Sequence, residues 1–359
     1  MSGALTLVRW LGPWEKTGTP RSVSRTERSI RTPTAEMRAY LYAPPSRPRG
    51  VYVLAPGLHF LGPDDPRLDR FCRILAASGV LVLAPFLPDH TRLRVTANTT
   101  DDLAAAFDVG ESLASGLPKP ALFSISFGSQ PTLALAARES HRDRIGAVVL
   151  FGGFADFAAS VRFCLTGRAE HRGRALSIAH DPLNAPVVWM HLLELLTLDC
   201  DRDAVQRAWR TMVERTWGRV ELKAPGARDP IAHQIARDLD GRDRAVFLLG
   251  CGLAPGGGDH LEDALSRIGE LYSFTDPRPH FARIRAPIVV VHGRDDDVIP
   301  WFEAEKLAAM APRARVLITG LYGHTGAASV SPRALARELK TMLAVVRTLA
   351  RAPTGGLSG

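Results

Sequence analysis

The sequence predicts an α/β protein with a mostly parallel central sheet flanked by helices and interrupted by an all-helical insertion. Three observations carry this. Strand-like and helix-like segments alternate with short links from residue 50 to residue 153. Residues 155–283 then show several helical stretches and no clear strand, far more chain than a loop uses. Alternation resumes at "APIVVVHG" (286–293) and continues to a last helix.

Residues 1–25 are mixed and rich in Ser, Thr and Arg, with Trp10 and Trp14 suggesting that the segment docks rather than trails. Residues 26–43 read as a hairpin turning at Thr32-Pro33-Thr34. "GVYVLAP" (50–56) is a short apolar run ending in Pro-Gly, as expected of a buried strand. Asp65-Pro66 supplies an N-cap and first-turn proline for a helix carrying Leu68, Phe71, Cys72 and Leu75 on one face, with Gly79 at its end. "VLVLAP" (80–85) follows directly, so strand, helix and strand form a βαβ unit. A helix at 99–113, a strand "ALFSIS" (121–126), a helical "QPTLALAARES" and a strand at 145–153 repeat the pattern.

In the insertion, 187–198, 202–217, 231–239 and 261–272 are the strongest helices, separated by turn signals at Asp181-Pro182 and Pro255–Gly258. After 286–293 come a helix from Trp301, a strand "ARVLITG" (314–320), and a helix opening at Ser331-Pro332. That helix sets Leu335, Leu339, Met342 and Val346 on one face, and the tail "APTGGLSG" is expected to fray. The organisation is an N-terminal extension (1–25), a core (26–154 and 284–352) and a helical cap domain (155–283).

The chain has 359 residues, 46% hydrophobic and 23% charged, a globular composition able to form a core without disulfides or metals. Its net charge of +8 comes from 45 basic residues, of which only five are lysine. Both signs are interleaved on the same helices, which favours a solvated surface over a nucleic-acid interface. Cys72, Cys164, Cys200 and Cys251 have long irregular gaps and no CxxC pair, so buried reduced thiols are expected. The apolar stretch before Arg9 is too short for a signal peptide, and no run is long enough to span a membrane. A soluble cytoplasmic protein is expected, with no membrane or nucleic-acid partner and a homo-oligomer left open.

The chemistry is concentrated at three strand ends. Ser124-Ile125-Ser126-Phe127-Gly128 sits at a strand-to-helix junction, close to the G-x-S-x-G nucleophile elbow but with Ser124 in the first small position. Ser126 would project above the sheet, and the Phe127 N–H could hold a developing oxyanion. "VVVHGRDDDVIP" places Asp295, Asp296 and Asp297 directly after a buried strand. "VLITGLYGHTG" places His324 in a Gly-flanked loop after the last strand.

The order Ser126, acid, His324 is that of the α/β-hydrolases, and the sequence resembles that family over roughly 36–153 and 284–350. The resemblance implies the α/β-hydrolase fold and an acid three residues after Gly293, which is Asp296. Asp295 and Asp297 are rivals, and Asp156 is a further candidate because some relatives carry the acid there. It also implies a second oxyanion donor after the first long strand. The family usually has His-Gly there, whereas this chain has Ala55-Pro56-Gly57-Leu58-His59, making the Leu58 N–H the donor by position. His59 either lines the substrate site or is a solvated loop residue.

The function this implies is a serine hydrolase acting on a carboxylic ester or related acyl compound through an acyl-Ser126 intermediate, with a small-molecule acyl substrate. No cofactor or metal is expected. An acyltransferase or thioesterase with the same triad, and a non-catalytic ligand-binding protein of the same fold, are the alternatives. Ser126 at the elbow argues against an aspartate-nucleophile dehalogenase. Gly256–Gly258 lacks the Lys-Ser/Thr of a phosphate loop, His191 and Glu194 do not make HExxH, and Trp301 is expected to pack the helix that follows it.

Overall fold

A computed structural model describes residues 3–11, 18–33, 35–311, 313–320, 322–323, 326–327 and 332–357, with only the backbone at 322–323, 326–327 and 332–337. It resolves into two compact units. One comprises Met1–Ala155, Thr275–Asp296 and Trp301–Gly359, the other Asp156–Phe274 and Asp297–Pro300.

The first unit is built on an eight-stranded sheet. Its strands are β1 (Ser24–Arg31), β2 (Glu36–Ala43), β3 (Val51–Ala55), β4 (Leu81–Pro85), β5 (Ala121–Ile125), β6 (Ala147–Phe151), β9 (Ile288–Gly293) and β10 (Arg315–Thr319), numbering β7 and β8 in the second unit. The spatial order is β1-β2-β4-β3-β5-β6-β9-β10. β1 and β2 form the hairpin expected at 26–43 and join β4 antiparallel, while β4 through β10 are parallel. The inner strands are Val/Leu/Ile-rich because helices cover both faces. Edge strand β1, "SRTERSIR", buries only Ile30 and is protected from further pairing by its charges.

Alternate residues feed two cores. Val51, Val53, Leu122, Val148 and Val290 pack with helices α4 (Thr99–Leu113) and α5 (Ser129–Ala137) and with α13 (Glu303–Met310). Tyr52, Leu54, Phe123, Val149 and Val289 pack with α1 (Gly3–Leu11), α2 (Pro66–Ala77) and α14 (Pro332–Arg351). The Asp65 carboxylate caps α2 by accepting from the Arg67 and Leu68 amides.

The N-terminal segment docks where it is described: α1 buries Leu7 completely, worth about 2 kcal/mol, and Arg70 holds the Trp10 and Gly18 carbonyls at 3.2 and 2.8 Å, while Trp14 lies outside the described residues. Two expectations are corrected here. The tail does not fray at residues 352–353, because Ala352 and Pro353 are buried and a methyl on Gly50 would lie 1.8 Å from the Pro353 carbonyl oxygen. On α14 the buried stripe is Met342, Val345, Val346 and Leu349, whereas Leu339 is 45% exposed. The spacing of that stripe is i, i+3, i+4, i+7, and it keeps Met342 and Val346 of the expected face, while the Leu335 side chain lies outside the described residues.

The second unit carries helices α6 (Phe157–Thr166), α7 (Ala185–Leu192), α8 (Arg202–Thr216), α9 (Asp229–Ala236), α10 (Gly241–Gly250) and α11 (Gly257–Tyr272). It is not all-helical. β7 (Arg168–His171) and β8 (Arg174–Ser177) form an antiparallel hairpin closed by Arg172 and Gly173, both at positive φ. Asp156, Asp201 and Asp240 cap α6, α8 and α10 with their carboxylates. Two arginines use their forked donors on carbonyls at or just beyond helix ends: Arg202 on Leu193 and Leu196, Arg244 on Ala236 and Leu239. Part of the arginine excess is therefore structural. Among the described residues, no helix is long and apolar enough to cross a membrane.

Candidate active site

Ser126 follows β5 directly and stands at φ +51°, in the left-handed region that costs a residue with a Cβ about 1–2 kcal/mol. The residue is buried, at 5% exposure. The turn is forced by what surrounds it. A methyl on Gly128 would lie 2.2 Å from the Ala55 carbonyl oxygen and 3.0 Å from that of Pro56, so only glycine lets α5 start this close to β3. A methyl on Gly57 would lie 3.3 Å from the Ser126 Cβ and 3.2 Å from the Ile125 carbonyl oxygen. The Pro56-Gly57-Leu58 loop and the Ser126 turn are thus in direct contact. The Phe127 ring packs on Phe154, with centroids 5.3 Å apart. Ser124, in the elbow's first position, is small enough to be fully buried, but its hydroxyl finds no partner among the described residues.

The three aspartates after β9 have three different environments. Asp295 is exposed. Asp296 is buried, its Oδ2 3.3 Å from Nε2 of the fully buried His292. Asp297 belongs to the second unit, where its Oδ2 lies 2.5 Å from Lys223 Nζ and its carbonyl accepts the Asp181 N–H at 2.8 Å. Lys223 also reaches Asp181 Oδ2 at 2.8 Å. Burial works against the Lys223 charge, but the hydrogen bonds and charges of Asp181 and Asp297 outweigh it and raise its pKa. Asp156 accepts the Ala159 N–H at the start of α6.

His324 lies outside the described residues. The described segments nearest to it in sequence are Tyr322–Gly323 (β11), which pairs antiparallel with Gly326–Ala327 (β12), and β11 runs against β9, the strand that leads to Asp296.

His59 is held by its own loop. Nδ1 accepts the Leu61 N–H at 3.2 Å, so the proton sits on Nε2, which lies 3.2 Å from Asp65 Oδ2. The ring stacks on Phe60 at 4.8 Å. Burial lowers its pKa, with Asp65 opposing and Arg67 reinforcing that shift. Trp301 packs edge-on against Phe302 and under the Arg294 guanidinium.

Two supports of this region have no sequence motif. Glu303, 1% exposed at the start of α13, accepts the Ala155 N–H at 2.9 Å and Lys306 Nζ at 2.6 Å, tying the segment after the aspartates to the end of β6. His90 is buried in the short helix α3 (Pro88–Thr91), with Nδ1 2.8 Å from the Pro56 carbonyl oxygen. The only signal for His90 was a histidine at the carboxyl end of a buried strand neighbouring β3.

Known structures place this architecture. An acylaminoacyl peptidase from Pyrococcus horikoshii matches 94% of this chain with a TM-score of 0.51 at 11% identity. An acylaminoacyl peptidase in complex with a peptide chloromethyl ketone matches 94% with a TM-score of 0.52 at 13% identity. This chain spans 43% of the length of each. In sequence, 63 residues are 35% identical to the "Putative carbamate hydrolase RutD" of Pseudomonas savastanoi pv. phaseolicola, covering 18% of this chain and 24% of that protein. No known protein-family profile matches the chain. The eight-stranded sheet with one antiparallel hairpin at its edge, the strand order and these structural matches together show that the chain has the α/β-hydrolase fold.

Proposed function

We propose that the chain is a serine hydrolase that cleaves a carboxylic ester or related acyl compound. The observation that carries this reading is Ser126 itself. A buried serine held at φ +51°, with Gly57 of the neighbouring loop packed against it and Gly128 two residues on, is an expensive arrangement for a serine of purely structural use. The order of Ser126, Asp296 and His324 along the chain supports the rest.

In this reading His324 takes the proton from Ser126 Oγ as the oxygen bonds to the acyl carbon. The carbonyl oxygen becomes an oxyanion, and the N–H groups of Phe127 and Leu58 donate to it. The intermediate collapses, the alcohol leaves with the proton from His324, and the acyl group remains on Ser126. Water, deprotonated by His324, then releases the acid and restores the serine. Asp296 orients the imidazole and balances its positive charge. Asp296 fits this role better than its neighbours, because Asp297 is committed to Lys223 and Asp295 is exposed. The short match to a carbamate hydrolase brings carbamates into the acyl compounds worth assaying.

The test is labelling of the purified protein with a fluorophosphonate and turnover of short-chain aryl esters and aryl carbamates. Labelling at Ser126 and turnover abolished by Ser126→Ala are expected. A wild-type protein that is not labelled and turns over no faster than Ser126→Ala defeats the reading.

A further inference from the structure

Leu58 and its N–H sit beside a glycine, so nothing local to that glycine fixes the direction of the donor. Gly57 has no Cβ and can rotate through conformations closed to other residues. Pro56 contributes no N–H. The peptide joining Pro56 to Gly57 therefore presents one anchoring group on its proline side, the Pro56 carbonyl. That carbonyl is occupied by His90 Nδ1 at 2.8 Å. Downstream, the Leu61 N–H on His59 Nδ1 and the Gly62 N–H on the His59 carbonyl hold the loop's far end. The Leu58 amide lies between these two anchors.

His90 is itself rigidly held. Its residue is 2% exposed, and Leu87 at the start of α3 is completely buried. The Thr91 hydroxyl donates to the Pro88 carbonyl at 2.9 Å, the Arg94 N–H to the Asp89 carbonyl at 2.8 Å, and the Thr96 hydroxyl to Asp89 Oδ2 at 2.5 Å. A carbonyl oxygen can only accept, so Nδ1 carries the proton. Burial, against smaller opposing effects of the Pro56 hydrogen bond and Asp89, pulls the His90 pKa down to about 4. The ring therefore donates at neutral pH without bringing a charge.

We propose that His90 is a positioning residue: by holding the Pro56 carbonyl, it keeps the Pro56-Gly57-Leu58 backbone turned so that the Leu58 N–H faces the oxygen that develops charge beside Ser126. The proposal rests on the serine-hydrolase reading above. It predicts a selective defect. The developing oxyanion would be affected, while groups that bind the substrate at rest would not.

The experiment compares wild type, His90→Leu and His90→Asn in steady-state hydrolysis of an aryl ester and in the rate of fluorophosphonate labelling. The asparagine amide can offer a donor near the Nδ1 position, whereas leucine cannot. Expected is a kcat about 10- to 100-fold lower in the leucine variant with KM within about 2-fold, labelling slowed in parallel, and recovery to within about 3-fold of wild type in the asparagine variant. A leucine variant with wild-type kcat, or an asparagine variant as impaired as leucine, overturns the role of His90 while leaving Ser126 chemistry intact. A wild type that neither labels nor turns over removes the underlying reading, and the His90 proposal with it. Should the leucine variant not fold, nitrogen-15 NMR of the wild-type histidines decides the geometry. A neutral Nδ1–H tautomer for His90 between pH 5 and 8, with asparagine active, supports the proposal; an Nε2–H tautomer overturns it.

Discussion

The serine turn and the aspartate segment both follow a buried parallel strand, but opposite means shape them. Around Ser126 the constraint is steric. Gly128 leaves no room for a methyl, a methyl on Gly57 would be tight, and the backbone is pressed into a left-handed turn. After β9 the constraint is electrostatic. Three adjacent aspartates with the same side chain differ only in their partners: His292 for Asp296, Lys223 for Asp297, and an exposed environment for Asp295. The steric device depends on residues a few positions apart in sequence or on a neighbouring strand. The electrostatic one depends on a histidine four residues back and on a lysine 74 residues away.

Substitutions can break that contrast. The largest effect is expected at Asp296. Asp296→Asn should lower kcat by roughly 10⁴-fold, the scale seen when a triad histidine loses its orienting carboxylate, whereas Asp295→Asn and Asp297→Asn should leave kcat within about 2-fold. Steady-state kinetics on all three sorts them, and equal losses at Asp296 and Asp297 would dissolve the distinction. Next comes Gly128→Ala. Its methyl would meet backbone that cannot swing aside, so a loss of more than about 3 kcal/mol in urea unfolding is expected, against about 1 kcal/mol for Gly57→Ala, where the contacts are 3.2–3.3 Å.

The smallest effect belongs to Lys223→Met, about 1 kcal/mol, since the lysine and Asp297 are both partly solvated and water screens the pair. Its pH dependence has a definite sign. The folded chain raises the Lys223 pKa above 10.5, so its contribution is complete below that value and fades as pH climbs through the folded one. Urea midpoints of wild type and variant should converge above pH 10.5 and stay apart at pH 8.

The same contrast explains what the sequence disclosed. Strand–helix alternation and the Ser126 turn were legible because apolar periodicity and small-residue spacing are local properties. The β7–β8 hairpin was missed for a local reason as well. Its strands, "RAEH" and "RALS", lack an alternating apolar face, and its turn is Arg172-Gly173 where Asn-Gly would have been the clear signal. His90 and Glu303 were invisible because each acts on a backbone group far away in the chain, Pro56 and Ala155. The choice among the aspartates came from chain order and the family resemblance, and partner chemistry adds an independent reason for it.

The left-handed backbone at Ser126 has a consequence for anyone who engineers this protein. Glycine at that position would relieve about 1 kcal/mol of strain, so a heat-tolerance screen that never asks for turnover would reward loss of the proposed nucleophile. Under the proposed reading stability and chemistry pull against each other at this one residue, and any evolution campaign should score both.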